Sequence, residues 1–404
     1  MPKVSTDKNL IEKFLTRGVE KIYPSADALR QKLISGERLK VYQGFDPTGP
    51  YLHVGHAIGI RALRILQELG HEVIFLVGDY TAKVGDPDKD TTRAILSDEI
   101  IKKNMAGWKK QAAQLINFEG KNAVKFERNH TWLSKLKLSD LIKLMSHMTV
   151  PQMLARDLFK KRMAEGKDIY LQEFIYPLMQ GYDSVAMKVD MEIGGADQTF
   201  NMLVGRDLVK SYLGKEKFVR ANKMMDAPDG RTMRKTKGNG INLGDSAEEM
   251  YGKAMSYPDT AILNGLELLT DIPMNIIKEI GNSMKQGENP MRYKKTMAFE
   301  IIKAIKGKEA AQKAQEHFEK TVQNKEVPDE VVETHCNASL QNIIELLVEN
   351  NLASSKNEAR RLIEQKGIKV DGKAITDVNA KIKATKEGIL IQRGKRQFVR
   401  LKKV

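Results

Sequence analysis

The 404-residue sequence contains one cysteine, Cys336, beside His335. A single thiol excludes an internal disulfide and any multi-cysteine zinc site, and Cys336 reads as incidental rather than catalytic. No apolar run approaches the length of a membrane span, so no membrane partner is expected. The start of the chain carries no signal-peptide core. These absences point to a cytoplasmic setting. Acidic residues are also in deficit: 52 Asp and Glu stand against 67 Lys and Arg, a formal net charge of +15. That imbalance invites a polyanionic partner. What is present is ordinary for a soluble globular chain, 41% hydrophobic and 29% charged, and the length predicts two or three domains.

The organising stretch is 41–56, which reads Val-Tyr-Gln-Gly-Phe-Asp-Pro-Thr-Gly-Pro-Tyr-Leu-His-Val-Gly-His. It begins as a buried strand, turns through Asp46-Pro47-Thr48-Gly49-Pro50 and enters a helix near Leu52, since proline fixes φ and cannot continue a strand. Ala57, Ile60, Leu63 and Leu66 keep helical spacing until Gly70. His53 and His56 thus fall in the first turn of a helix after a strand, where free N–H groups and the positive end of the helix dipole favour an anion. Gly55 between them lets a ligand come close. The expected role is a nucleotide site whose imidazoles bond phosphate oxygens; two ordinary turn histidines are the plain alternative.

Residues 9–15 and 25–33 read as helices, with Ser25 as an N-cap. Residues 73–77 form an unbroken apolar strand of the parallel type, ending in the loop 78–87. Ligands of open α/β sheets sit at that carboxyl edge, near a topological switch. A weak strand is expected at 123–126. The apolar stripe of 145–159 (Met145, Met148, Val150, Met153, Leu154) suits either core packing or a subunit interface. Tyr176, Gln180 and Asp183 share one helix face amid apolar neighbours, which suggests a polar substrate pocket. A strand-like 187–193 leads to Gly194-Gly195-Ala196-Asp197-Gln198, a third ligand-facing junction. The basic, glycine-containing run 223–240 is either a linker or a loop closing on a triphosphate. Five helices fill 246–323. From 338 to 404 there are 15 Lys or Arg against 7 Asp or Glu, or +8 of the total +15, on a compact pattern of two helices, an Asp371-Gly372 hairpin and further strands. A basic αβ module of this kind is an RNA- or DNA-binding footprint.

Taken together these motifs resemble the bacterial-type tyrosyl-tRNA synthetases, which are class I aminoacyl-tRNA synthetases. His53-Val54-Gly55-His56 is similar to the HIGH signature, and Thr232-Met233-Arg234-Lys235-Thr236 stands in the place of KMSKS. The blocks at 42–48, 176–183 and 193–198 resemble the tyrosine-specific ones, and the tail resembles an S4 domain. The resemblance implies a Rossmann-type parallel-sheet catalytic domain at 1–222 with an inserted dimerisation segment, and a KMSKS-like loop at 223–245. It implies a small all-α anticodon-binding domain at 246–325, a linker at 326–337 and an α+β S4-like RNA-binding domain at 338–404. It further implies ATP as substrate, Mg²⁺ with the triphosphate, L-tyrosine and tRNA(Tyr) as partners, and a homodimer. Tyr42 and Asp183 would hold the phenol, Asp86, Tyr176 and Gln180 the ammonium, and Gln198 would lie near the carboxylate. Asp46, Gly55, Gly194, Gly195, Asp197 and Met233 would lie against ATP. Thr48, His53, His56 and Lys235 would act on the phosphates, and Lys356, Asn357, Arg360 and Arg361 would meet RNA. No resident metal site is expected. The sequence departs from the pattern at Thr232 and Arg234, leaving Arg231 or Arg234 to replace the first KMSKS lysine. Glu192, Asp79-Tyr80 and Asp88-Lys89-Asp90 also depart from one branch. A tryptophan-specific sister enzyme and a synthetase-derived RNA-binding protein without activation are the alternatives.

Overall fold

Strand β3 (Glu72–Val77) shows why the sheet forms where it does. Val73 through Val77 are all buried, so the strand is covered on both faces, as in a parallel sheet. In the computed structural model, which describes residues 3–86, 96–226, 240–323, 332–336, 341–385, 388–394 and 397–403, β3 belongs to a six-stranded sheet. The others are β1 (Val19–Tyr23), β2 (Lys40–Phe45), β4 (Lys125–Arg128), β5 (Met191–Gly195) and β6 (Phe218–Asn222), in the order β1-β6-β5-β2-β3-β4. All neighbours are parallel except the edge pair β1 and β6. The order reverses between β2 and β5, which makes a topological switch point there. Phe45, Phe75 and Phe126 stack across three strands, with centroids 4.4 and 5.5 Å apart.

Two helices serve the switch point. The histidine helix (Val54–Glu68) starts at extended His53 and buries Ala57, Ile60, Leu63 and Leu66. It stops because the chain must turn at Gly70, which only glycine adopts easily. Gly70 has φ +88°, and a Cβ there would come within 2.7 Å of the Lys3 carbonyl oxygen. The pocket helix (Leu171–Ala186) is fixed at its start by Glu173, whose carboxylate accepts from the Tyr170 N–H at 2.9 Å and is clasped by buried Arg162. Three expectations need correction here. A strand, β1, lies between the two N-terminal helices, the weak strand begins at Lys125 rather than 123, and β5 begins at Met191. Residues before Met191 belong to the end of the pocket helix and a turn with Lys188 at φ +53°.

The chain divides into two compact units, Met1–Asp245 with Ser256–Lys306 and Ser246–Met255 with Gly307–Val404. The helices expected in 246–323 are present, but 256–306 belongs to the first unit. The second unit pairs helix Ala247–Met255 with Lys308–Phe318, where the Tyr251 and Phe318 rings lie 5.4 Å apart. It also holds a five-stranded sheet over a core that includes Ile343, Leu347, Ile363, Ile391 and Leu401. The hairpin at Asp371-Gly372 has both residues at positive φ, +46° and +79°, as a primed turn requires. The exposed face of its helix Lys356–Glu364 carries Lys356, Asn357, Arg360 and Arg361, while Ala359 and Ile363 are buried.

Candidate active site

The turn after β2 is held by side chains from outside it. Asn104 Nδ2 donates to the Pro47 carbonyl at 2.8 Å. Gln111 accepts from the Leu52 N–H at 2.8 Å and donates to the Pro50 carbonyl at 3.0 Å. His53 is thereby delivered as the cap of its helix, its ring centroid 3.7 Å from that of His56. The His53 backbone N–H donates to His56 Nδ1 at 3.0 Å. That nitrogen therefore accepts, and in the neutral ring the proton sits on Nε2, as a donor. Bonds from Val54 N–H to the Ile241 carbonyl (2.9 Å) and from Leu243 N–H to the Leu52 carbonyl (2.8 Å) stitch the same turn to residues 241–243.

A cavity of about 300 Å³ opens at the switch point. Tyr42, Asp46, Thr48, His53, Gly55 and His56 line it from β2 and the turn, and Tyr176, Gln180 and Asp183 from the pocket helix. Gly194, Gly195, Asp197 and Gln198 line it from the end of β5, with Asp86 from the loop after β3. Every described site residue of this region thus meets at one cavity. Met233 and Lys235 lie outside the described residues, although Lys223, Met224 and Met225 also line the cavity. The glycines there are dictated by close approach. A Cβ at Gly195 would fall 2.3 Å from Asp197 Oδ1, and one at Gly78 would fall 2.0 Å from Asp46 Oδ1.

The most buried part of the cavity is polar. Asp183 Oδ1 accepts from Trp132 Nε1 at 2.7 Å and Oδ2 from Asn129 Nδ2 at 3.2 Å. Burial pushes its carboxyl well above the usual range, against the pull of those two donors. Burial, with Glu192 and Asp183 nearby, likewise raises the Tyr42 phenol and keeps it neutral. Gln180 Nε2 donates to Glu192 Oε1 at 3.0 Å. Tyr176 donates to Asp46 Oδ2 at 2.9 Å, and Thr81 to Asp46 Oδ1 at 2.8 Å. Toward β5, Gln198 Nε2 bonds Asp86 at 2.6 Å, and Arg156 stands 3.6 Å from the same carboxylate. Burial raises the Asp197 carboxyl.

Sequence reasoning missed Trp132, Asn129, Ser184, Arg156 and Lys217. Only Ser184 left a trace, four residues after Gln180 on the face already singled out. Among the described residues no group of three or more His, Cys, Asp and Glu could hold a metal ion. No described helix is long and apolar enough to cross a membrane.

The fold and cavity define a doubly wound α/β protein that presents paired imidazoles, at a helix start, beside a polar pocket. The chain belongs to the class I tRNA synthetases for W and Y, whose family profile matches residues 35–323, and residues 322–401 match the tyrosine–tRNA ligase SYY-like C-terminal domain. It is 41% identical to the tyrosine–tRNA ligase of Thermotoga maritima over 96% of both chains. It is 39% identical to that of Dehalococcoides mccartyi strain CBDB1, over 98% of this chain and 99% of that one. A C-terminally truncated mitochondrial tyrosyl-tRNA synthetase of Aspergillus nidulans superposes with a TM-score of 0.64 at 25% identity, over 76% of this chain and 92% of that one.

Proposed function

We propose that this chain is a tyrosine–tRNA ligase. It condenses L-tyrosine with ATP to tyrosyl-adenylate and pyrophosphate, then passes the tyrosyl group to the 3′ end of tRNA(Tyr). The observation that carries this reading is that buried Tyr42 and Asp183 line the same cavity as His53 and His56. A phenol needs one donor and one acceptor, and this pair offers them. Asp86, Tyr176 and Gln180 hold the ammonium, and Gln198 lies by the carboxylate. Asp46, Gly55, Gly194, Gly195, Asp197 and Met233 lie against the nucleotide. The tyrosine carboxylate attacks the α-phosphate, so no protein nucleophile is required. Thr48, His53, His56 and Lys235 stabilise charge developing on the phosphates. Mg²⁺ enters with the triphosphate, as this ion commonly does. The exposed basic face of helix Lys356–Glu364 contacts RNA, residues 246–325 serve the anticodon, and the setting is the cytoplasm, where tRNA is charged.

Amino-acid-dependent ATP–pyrophosphate exchange across all twenty amino acids tests this. Tyrosine should support exchange above every other. Exchange with tryptophan alone would favour the sister specificity, and exchange with none would leave only an RNA-binding role.

The active form is a homodimer built on residues 138–171. Exposed apolar surface of this kind commonly marks a protein interface. Leu138 (73% exposed), Ile142 (59%), Val150 (61%) and Leu171 (81%) leave such a surface there, while Leu144 and Met153 are buried. Light scattering should give twice the chain mass for the native protein and a single chain mass for Leu138→Glu with Ile142→Glu. A native protein that stays monomeric at micromolar concentration contradicts the proposal.

A further inference from the structure

The proposed reaction has no use for an ion pair buried against the cavity. Lys217 and Glu192 are both buried and joined by a short hydrogen bond. Lys217 Nζ also donates to Ser184 Oγ at 2.8 Å. Ser184 Oγ is 2.9 Å from the Tyr42 hydroxyl and 3.4 Å from Glu192 Oε2. The other Glu192 oxygen takes the Gln180 amide N–H at 3.0 Å. Space for the ammonium is made by Gly205, where a Cβ would come within 2.6 Å of Nζ and 3.1 Å of Ser184 Oγ.

Proton counts and distances together favour one direction along this chain of contacts. An ammonium only donates and a carboxylate only accepts, while a serine has a single proton. Lys217 fills one lone pair of Ser184. The serine proton then has two acceptors within reach, and the 3.4 Å contact to Glu192 is longer than an O–H···O bond normally spans. It therefore goes to the Tyr42 oxygen. With the serine proton on its oxygen, Tyr42 keeps its own, and the next acceptor, the Gln180 carbonyl, is 3.5 Å away, at the limit of hydrogen-bond reach. That proton is left for the cavity. Asp183, already accepting from Trp132 and Asn129, keeps lone pairs to offer. The floor then presents one donor and one acceptor, the complement of a phenol. By the same logic, Gln180 gives its N–H to Glu192, which leaves its oxygen available to an ammonium.

We infer that Lys217, acting through Ser184, is a positioning residue that aims the Tyr42 hydroxyl into the cavity and so sets recognition of the phenol. The inference rests on the reading of the site as a tyrosine pocket.

Ser184→Ala tests it, because it cuts the relay and keeps the Lys217–Glu192 pair. In pyrophosphate exchange, kcat/KM for tyrosine should fall about tenfold, through KM for tyrosine, the loss expected for one hydrogen bond. The KM for ATP and kcat/KM for phenylalanine should not move, so discrimination narrows by the same factor. Lys217→Met combined with Glu192→Gln, an uncharged pair, should narrow it equally, with circular dichroism reporting the fold. If that variant does not fold, Ser184→Ala decides alone. An unchanged tyrosine-to-phenylalanine ratio, or equal losses for both, overturns the inference. A wild type without tyrosine-dependent exchange overturns the functional reading instead.

Discussion

Replacing His53 and His56 together with alanine lowers tyrosine-dependent pyrophosphate exchange by about 10³-fold or more, with tRNA binding retained. One preorganised donor aimed at developing charge is worth about 10²–10³ in rate, and two that act as a unit do not simply multiply. Both rings sit in the first turn of a helix, where the dipole already favours an anion. The bond from the His53 N–H to His56 Nδ1 leaves Nε2 as the protonated, donating nitrogen of the neutral ring. The loss should fall on kcat, with KM for ATP and tyrosine nearly constant, since contacts that strengthen only in the transition state leave ground-state binding alone. His56 Nδ1 also accepts from the His53 N–H, and losing that hydrogen bond costs about 1 kcal/mol. A melting curve separates that loss from the catalytic one. Activity within tenfold of the wild type would remove the histidines from the chemistry.

Much of this site was legible because it is written in local pattern. The apolar run of β3, the Asp-Pro turn after β2 and the Gly-Gly turn after β5 each announce a strand ending at a loop, and the three ends meet at the switch point. Asp371-Gly372 announced its hairpin in the same way. What stayed hidden depends on pairs far apart in the chain. The short, mostly unburied β1 becomes a strand only because β6, at the far end of the same sheet-forming region, supplies its partner. Lys217 and Glu192 look like solvated charges until the fold buries them together. Trp132 and Asn129 follow β4 with no periodicity to mark them, yet they orient Asp183. Similarity to a family also assigns roles singly, and so did not foresee that Tyr176 and Asp46, expected on different substrates, bond each other.

Asp183→Asn should cut kcat/KM for tyrosine by about 10²-fold, since each strained or unpaired buried polar group costs about 1–3 kcal/mol. The exchange is not conservative here. Both carboxylate oxygens accept, one from Trp132 and the other from Asn129, and an amide has only one oxygen. Its NH₂ must face one of those donors or the phenol. Stability should move the other way. Burial raises the Asp183 carboxyl above its unfolded value, so the favourable contribution is complete below the ordinary carboxylate range and is lost as pH rises through the raised value. Above that raised value the native residue therefore opposes folding, and an uncharged asparagine relieves that cost while disturbing two hydrogen bonds. The melting temperature of the variant relative to the wild type should thus be more favourable at pH 8 than at pH 4. Exchange with tyrosine above a tenth of the native rate, or a relative melting temperature that falls with rising pH, would show that Asp183 neither holds the substrate nor carries a charge the fold resists.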